Sequence, residues 1–255
     1  KGIGLFRTDF LFLGSETLPD ETQQTEAYAQ AAKSQYPSAV VIRTLDLGAD
    51  KLPANFETSD EMNPFLGDRA IRLCLTRPAL FKTQLRAILR ASVSANIRIM
   101  YPMVSCVQEV INANTLLREC MDELRGLNVP FNENIQIGTM IEVPSAALVA
   151  DLLAPHVSFF SLGTNDLIQY TLAVDRGNEN VAHLYQPTHA AIIRLIDHVV
   201  KVSHKHGLWT CVCGQQIWVS IRPSYTELPS HLRYAGFQVS RTTVLVNPLP
   251  YRIRM

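Results

Sequence analysis

The fold expected of this chain is decided by one stretch, VSFFSLGTNDL at residues 157–167. It opens with an apolar run, and the Gly-Thr-Asn-Asp turn that follows leads directly into a helix-like sequence. A short apolar run before a turn signal indicates a buried strand, so Asn165 and Asp166 lie where a strand ends and a helix begins. Helix amino ends attract anions through their unpaired backbone N–H groups and the helix dipole. The stretch therefore predicts a strand–turn–helix unit that carries polar groups at a place suited to charged ligands.

A second acid follows a second apolar run in the same way. Residues 135–140 read as a strand and lead into Ile-Glu-Val-Pro at residues 141–144. Mg²⁺ takes one or two protein carboxylates and completes its octahedron with water and substrate oxygens. Glu142 and Asp166 are therefore predicted to share one divalent cation. The structural alternatives are a salt bridge, or a helix-capping role for Asp166.

Apolar runs alternate with helical patterns along the chain. Strands are predicted at residues 2–6, 39–45, 97–103, 135–142, 157–163, 208–213 and 237–240, and helices at residues 20–36, 78–94, 107–124, 145–153, 190–206 and 227–234. Strands rich in valine and isoleucine that are joined by helices are typical of a parallel sheet buried on both faces. Because no linker rich in proline or glycine divides the chain, we expect a single domain over residues 1–255.

Seven strands in β-α order indicate an α/β fold, and we expect a (β/α)₈ TIM-type barrel whose first strand lies upstream of Lys1. An open, doubly wound sheet is the alternative. Barrels place their sites on a ring of strand ends, whereas open sheets gather them at one switch point. The candidate residues follow many different strands, which favours the barrel; they are Arg7, Arg43, Met103, Glu142, Asp166 and Cys213.

The composition argues against several classes of protein. The chain has 255 residues, 47% of them apolar, and no net charge at pH 7, so it can bury a full core but offers no broad basic surface for nucleic acid. No apolar run approaches the ~20 residues of a membrane span, and the amino end has no signal-peptide pattern. The five cysteines show no disulfide or zinc spacing, which indicates reduced thiols in a cytoplasmic protein.

Four arginines make phosphate the expected ligand. Arg7 and Arg43 close apolar strands, while Arg69 and Arg176 lie in the loops NPFLGDR and VDRGN. An arginine that closes an apolar strand must bind an anion or pair with a carboxylate, and pairing of Arg43 with Asp46 is the structural alternative. Guanidinium groups bind phosphate through two parallel hydrogen bonds. Four of them beside a carboxylate pair favour a phosphate site.

Cys213 is the candidate proton donor. It ends the strand predicted at residues 208–213. A lone cysteine is usually a small core residue, but at a strand end its thiol could reach a carbon that must receive a proton. The seven histidines show no metal-binding spacing, and none is a predicted site residue.

Long motifs carry a family resemblance. They are GIGLFRTDFLF at residues 2–12, IRTLDLGADK at 42–51, NPFLGDRAIR at 63–72, RAILRAS at 86–92, and GTNDLIQYTLAVDRGNE at 163–179. In these motifs the chain resembles the C-terminal, phosphoenolpyruvate (PEP)-binding barrel of Enzyme I of the bacterial sugar phosphotransferase system. The barrels of pyruvate phosphate dikinase and PEP synthase share the general pattern, but residues 167–185 resemble Enzyme I more.

The resemblance implies a PEP-binding domain that uses Mg²⁺ and forms a homodimer. By the resemblance, Arg7, Arg43 and Arg176 would bind the phosphoryl group, with Lys51 nearby. Arg69 would bind the enolate oxygen and Asn165 the carboxylate. Glu142 and Asp166 would bind the metal, and Cys213 would donate the proton. The phosphoryl group would pass to a histidine on an N-terminal domain and from there to a small histidine-containing carrier protein. Alone, this fragment would bind PEP without completing the transfer.

Three features depart from the family pattern. Asp68 stands where the family has tryptophan, Gln215 stands where it has glutamate, and residues 216–255 form a divergent tail. PEP synthases also show this glutamine, so the barrel of a PEP synthase or pyruvate phosphate dikinase is one alternative. Asp68 and the tail prompt another, a catalytically silent barrel that senses PEP or serves dimerisation.

Overall fold

Six parallel strands form one curled sheet at the centre of the molecule. The computed structural model describes residues 2–13, 17–52 and 61–213. Its strands are β1 (Ile3–Arg7), β2 (Val40–Arg43), β3 (Ile97–Tyr101), β4 (Gln136–Ile141), β5 (Phe159–Gly163) and β6 (Trp209–Cys213). Each strand pairs with the next in strict chain order, and the outer strands β1 and β6 approach within 8 Å between Cα atoms. The twist that adjacent strands share contributes to this curl.

Helices follow the strands, as parallel connections require. They are α1 (Glu21–Gln35), α2 (Ile71–Thr76), α3 (Pro78–Ala91), α4 (Val107–Gly126), α5 (Pro144–Leu148), α6 (Ala150–Leu153), α7 (Thr164–Leu172) and α8 (Ala190–Lys205). The predicted start of α1 is confirmed, because Asp20 caps the helix by accepting a 2.8 Å hydrogen bond from the backbone N–H of Gln23. Over the part of the chain that the structure describes, none of the helices is long and apolar enough to cross a membrane.

The structure confirms the parallel α/β fold at the level of a curled six-stranded sheet. The doubly wound alternative is wrong, because such sheets reverse their strand order at a switch point and this one keeps chain order throughout. The strand predicted at residues 237–240, the helix predicted at 227–234 and the divergent tail lie outside the described residues.

Two details of the helical prediction are wrong. Helix α2 was not predicted, because its six residues are too few to show a helical period. The helix predicted at residues 145–153 is two short helices, α5 and α6, that meet at Val149, where φ −106° and ψ 26° depart from helical values. Most predicted strands extend one or two residues beyond the observed ones at one or both ends, and the first, predicted at residues 2–6, lies one residue too early.

Two apolar layers hold the sheet. A larger cluster lies between the sheet and the helices, and a smaller one fills the concave side with Val41, Met100, Met140 and Phe159. Phe159 stacks on Trp209 with ring centroids 4.2 Å apart. A Cβ atom at Gly138 would lie 2.3 Å from the Phe159 ring, so glycine is needed there for the ring to fit.

Ion pairs fix α3 against its two neighbouring helices. Glu21 of α1 accepts hydrogen bonds from Arg86 Nε at 2.7 Å and Arg90 Nη1 at 2.8 Å, and Arg86 Nη1 donates to Glu123 of α4 at 2.9 Å. Burial alone would raise the pKa of Glu21, but these arginine hydrogen bonds lower it below its ordinary value. Partly exposed pairs of this kind contribute about 0–1 kcal/mol each, so they orient α3 more than they stabilise the fold.

Candidate functional site

The carboxyl ends of the strands bring most of the predicted site residues to one rim of the sheet. Arg7 ends β1 beside Arg43, which ends β2, and the two are register partners. Cys213 ends β6 and is paired with Gly163, the last residue of β5. Glu142 directly follows β4. Parallel strands all end at the same edge, so side chains that are distant in sequence meet here.

A row of alternating charges runs along this rim. Asp9 Oδ2 lies 3.0 Å from Arg7 Nη2 and 2.8 Å from Arg43 Nη2. Asp46 then joins Arg43 Nη1 at 2.7 Å to Arg69 Nη2 at 2.9 Å. The pairing of Arg43 with Asp46 that was weighed as a structural alternative is therefore present. It does not separate Arg43 from the other site residues, because the same aspartate also holds Arg69.

Burial differs sharply along the row. The side chain of Arg43 is 6% exposed and that of Arg7 is 60% exposed. Burial would lower the pKa of the Arg43 guanidinium, but the charges of Asp46 and Asp9 outweigh it and raise the pKa, so the group stays charged. Arg43 is thus the fixed centre of the row, and Arg7 is its solvent-facing end.

Asp9 and Asp46 are not among the predicted site residues, and Asp46 appears in the sequence prediction only as a structural partner of Arg43. Asp9 is 3% exposed although it is an acid. The signal that could have found both is their spacing, since each follows an arginine by two or three residues within an otherwise apolar stretch. A buried acid at that distance from a buried arginine is more stable paired than alone.

Glu142 is buried beside the charged row. Its Oε1 atom accepts a 2.6 Å hydrogen bond from the backbone N–H of Met103, a residue in the left-handed region with φ 55°. Burial, and then the negative charges of Asp46 and Asp166, raise the pKa of Glu142 to about 8, although Arg43 and the Met103 hydrogen bond oppose this. A Cβ atom at Gly163 would lie 2.6 Å from Glu142 Oε2. Glycine therefore leaves room for the carboxylate at the start of α7.

Helix α7 supplies Asn165 and Asp166 in its first turn. Gly163 occupies the N-cap position and offers no side-chain cap, while Asp166 lies within the first turn, so Asp166 is not the N-cap residue. Asp166 Oδ1 lies 4.0 Å from Arg176 Nη2, and Arg176 is 45% exposed. The hydroxyl of Tyr185 donates a 3.1 Å hydrogen bond to the backbone oxygen of Asn165, which holds this turn in place.

Tyr170 is a further residue that the sequence analysis missed. Its hydroxyl donates to the backbone oxygen of Phe65 at 2.6 Å and lies 3.5 Å from Arg69 Nη1. The Phe65 ring also lies 5.7 Å from the Arg69 guanidinium carbon. Tyr170 follows Asp166 by four residues on one helix, and that spacing, which places both on one face, was the available signal.

Cys213 and Lys51 differ in burial, since Cys213 is partly buried and Lys51 is exposed. Burial raises the pKa of the Cys213 thiol to about 11, partly opposed by Arg43, so the thiol is protonated at neutral pH. Lys51 is exposed at the end of a short 3₁₀ helix, Ala49–Lys51. Within the described ranges, no ion pair links Lys51 to the other predicted site residues.

The residues present fit a single hard divalent cation. Among the described residues, no group of three His, Cys, Asp or Glu side chains could hold a metal ion. Glu142 and Asp166 are two carboxylates close enough for the charge of Asp166 to act on Glu142. Mg²⁺ accepts such a set and takes its remaining ligands from water and substrate. After burial, the negative charges of Asp46 and Asp166 contribute to the raised pKa of Glu142, and a cation would offset this repulsion.

Solved structures with a similar fold are TIM-barrel-like. A malate synthase from Haloferax volcanii, in a magnesium and glyoxylate complex, matches with a TM-score of 0.54 at 13% identity over 92% of this chain and 63% of its own. An HpcH/Hpal aldolase/citrate lyase family protein from Burkholderia cenocepacia matches with a TM-score of 0.51 at 14% identity, over 88% of this chain and 74% of its own. At these identities the similarity concerns the fold alone.

Curated relatives are much more similar in sequence. PEP–protein phosphotransferases from Priestia megaterium and Staphylococcus carnosus are 50% and 49% identical over 215 residues, which is 84% of this chain. The chain spans 38% of the length of each relative. A family model described as the PEP-binding domain of PEP-utilising enzymes matches residues 1–247. The chain therefore belongs to the PEP-binding domain family of the PEP-utilising enzymes.

Proposed function

We propose that this chain is the PEP-binding domain of a PEP–protein phosphotransferase. The observation that carries the proposal is the alternating row of three arginines and two aspartates beside Glu142 and Asp166, in a chain of the PEP-binding family. Phosphoryl transfer needs positioned positive charge more than covalent chemistry, and this rim supplies it. The names of the relatives favour this activity over that of a PEP synthase or pyruvate phosphate dikinase.

The arginines divide the work of holding PEP. Arg7, Arg43 and Arg176, together with Lys51, bind the phosphoryl oxygens. Arg69 lies at the far end of the row and steadies the enolate oxygen from which phosphorus departs, while the carboxamide of Asn165 binds the substrate carboxylate. Fixed donors of this kind stabilise the charge that develops in the transition state, because they need no reorganisation as the bond breaks.

The charge balance of the rim calls for a cation. Four arginines face four acids there, namely Asp9, Asp46, Glu142 and Asp166. With Glu142 ionised, as metal ligation requires, a trianionic ester meets a site of no net charge. We infer that Glu142 and Asp166 hold Mg²⁺, which when bound would neutralise charge on the phosphoryl oxygens.

Cleavage of the phosphorus–oxygen bond leaves its electron pair on the enolate oxygen, and the phosphoryl group goes to a histidine on an N-terminal domain. The enolate must then gain a proton at C3 to become pyruvate. Cys213 is the proposed donor, and its high pKa keeps the thiol protonated until the carbanion-like carbon needs it.

The proposal extends to the complete barrel, its oligomeric state and the protein that accepts the phosphoryl group. We infer a complete eight-stranded barrel, a homodimer in the cytoplasm, and onward transfer from the phosphohistidine to a small histidine-containing carrier protein. The chain-order parallel sheet and the TIM-barrel-like fold of its structural neighbours support the barrel, and the relatives' shared name supports the protein acceptor.

Titration of the chain with PEP by calorimetry tests the proposal. We expect saturable binding with Mg²⁺ and at least tenfold weaker binding without it, because the phosphoryl group then lacks the positive charge of the cation. Phosphate-free pyruvate serves as the control ligand and should bind far more weakly. Absence of PEP binding, or binding of equal strength without metal, would remove the site assignment.

A silent, PEP-sensing barrel is the second candidate, and the residue at position 68 prompts it. Arg69 pairs with Asp46 at 2.9 Å rather than with its neighbour Asp68. The aspartate that stands in place of the family's tryptophan therefore does not draw Arg69 out of the charged row. This favours an active barrel.

Pyruvate formation by the wild type and by a Cys213→Ala variant tests the two candidates. In the protein that includes the N-terminal domain, Cys213→Ala should lower the rate of pyruvate formation about 10²–10⁴-fold, the usual contribution of a general acid. PEP affinity should change little, because the thiol acts after binding. Cys106→Ala, at the exposed start of α4, is the matched control. An unchanged rate for Cys213→Ala would remove the proton-donor role of this thiol, whereas a wild type that binds PEP without forming pyruvate would favour the silent barrel.

A further inference from the structure

Gln84 is a polar residue on the buried face of α3. It is 1% exposed and lies among Phe81, Leu85 and Ile88, which are fully buried on the same helix. A carboxamide in such surroundings is costly unless its hydrogen bonds are made. Leucine or methionine would fill the space without that cost, so packing alone does not account for glutamine here.

The carboxamide makes three hydrogen bonds to three separate segments. Its Oε1 atom accepts from the backbone N–H of Leu45 at 2.8 Å. Its Nε2 atom donates to the hydroxyls of Tyr28 at 3.2 Å and Thr8 at 3.3 Å. Both N–H groups are therefore used, and all three partners are buried.

Two of these partners belong to the loops that carry the charged row. Thr8 directly precedes Asp9, and its hydroxyl donates to the backbone oxygen of Arg43 at 3.1 Å. Leu45 directly precedes Asp46. The backbone N–H of Asp46 in turn donates to Asp9 Oδ1 at 3.3 Å. One side chain thus ties together the loops after β1 and β2, whose aspartates hold the Arg43 guanidinium from two sides.

We propose that Gln84 is a positioning residue for the phosphate-binding site. It sets the separation of Asp9 and Asp46 and, through them, the orientation of the Arg43 guanidinium, without touching the ligand. That the ligand is PEP rests on the proposed function, whereas the effect of Gln84 on the orientation of the Arg43 guanidinium does not.

Gln24 offers a matched control within the same network. It is a fully buried glutamine on α1 whose Oε1 accepts from the Tyr28 hydroxyl at 3.0 Å and whose Nε2 donates to the backbone oxygen of Pro19 at 2.9 Å. It shares the residue type, the burial and one partner with Gln84, but it contacts neither of the loops that bear the aspartates.

The test compares Gln84→Met with Gln24→Met by two measurements. Hydrogen exchange at Arg43 Nε, followed by nuclear magnetic resonance, reports the order of the guanidinium without any ligand. Calorimetry with PEP and Mg²⁺ reports affinity. For Gln84→Met we expect about tenfold faster exchange and about tenfold weaker PEP binding, since couplings within one hydrogen-bond network commonly reach this size. Gln24→Met should change each value by less than about twofold.

The outcomes separate this inference from the proposed function. Should the wild-type chain fail to bind PEP while Gln84→Met still accelerates exchange at Arg43, the function is wrong and the positioning role stands. If Gln84→Met leaves exchange and affinity unchanged, or Gln24→Met alters both equally, the positioning role is wrong. If Gln84→Met does not fold, Thr8→Val removes one of the same links without changing side-chain size, and the same two measurements decide.

Discussion

Replacing Arg43 with lysine is expected to weaken PEP binding about 10²–10³-fold, which corresponds to about 3–4 kcal/mol of binding free energy. Arg43 uses two different nitrogens to hold Asp9 and Asp46 at 2.8 and 2.7 Å. A lysine ammonium is a single point charge on a flexible stem and cannot reproduce that fork. One aspartate would be left buried and unpaired, and the row would lose the geometry that presents it to phosphate.

The size of the effect should follow burial along the row. Arg7→Lys changes an arginine that is 60% exposed and pairs only with Asp9, so a loss of less than about tenfold is expected because exposed pairs are worth little. Arg125→Lys, on the outer surface of α4, is the control and should leave affinity unchanged. Calorimetry with PEP and Mg²⁺ gives all three values. Equal losses at positions 7 and 43 would contradict the central role of Arg43.

Replacing Glu142 with glutamine should have opposite effects on ligand binding and on metal-free stability. The variant loses one of the two proposed metal ligands, so the dependence of PEP binding on Mg²⁺ should largely disappear and affinity should fall about a hundredfold or more. The buried hydrogen bond is kept, because a glutamine oxygen can still accept from the Met103 N–H at this position.

The effect on stability follows from the pKa of Glu142. In the folded state this pKa is raised to about 8 from an ordinary value of 4.5. The stability it contributes is complete below about pH 4.5 and is lost as pH rises through about 8, since the unfolded chain ionises more easily. Without metal, the melting temperature of the wild type should therefore fall over this window, and Glu142→Gln should flatten the decline.

Thermal unfolding between pH 5 and 8.5, with and without Mg²⁺, measures this effect. At pH 8.5 without metal, Glu142→Gln should melt about 5 °C or more above the wild type. Addition of Mg²⁺ should stabilise the wild type and not the variant. Glu119→Gln, at an exposed pair with Lys82, is the control and should follow the wild type. A wild-type melting temperature that does not decline towards pH 8.5 would mean that the pKa of Glu142 is not raised in the folded state.

Much of the fold could be predicted from the sequence because its signals are local. Apolar runs at regular intervals mark the strands, and Pro19 and Asp20 mark the start of α1. Strand order and curl do not reside in any one segment. They depend on how successive β-α units pack beside one another. Sequence patterns therefore predict the helices and strands better than they predict how far the sheet closes into a barrel. The short helix α2 was not predicted because six residues are too few to show a helical period.

The site could be predicted in part for a related reason. Arg7, Arg43 and Glu142 each stand at the end of a recognisable strand, and a parallel sheet brings such ends together. What the sequence did not reveal is the pairing between loops. Asp9 holds arginines from two strands, and Gln84 reaches both loops from a helix far along the chain. Contacts across such distances leave no local pattern.

The most direct test of the account is a crystal structure of the chain with PEP and Mn²⁺, which replaces Mg²⁺ and scatters anomalously. The account predicts one anomalous peak between the carboxylates of Glu142 and Asp166, with the phosphoryl group of PEP against the metal and against Arg7 and Arg43. A metal peak elsewhere, or a phosphoryl group bound away from this rim, would contradict it.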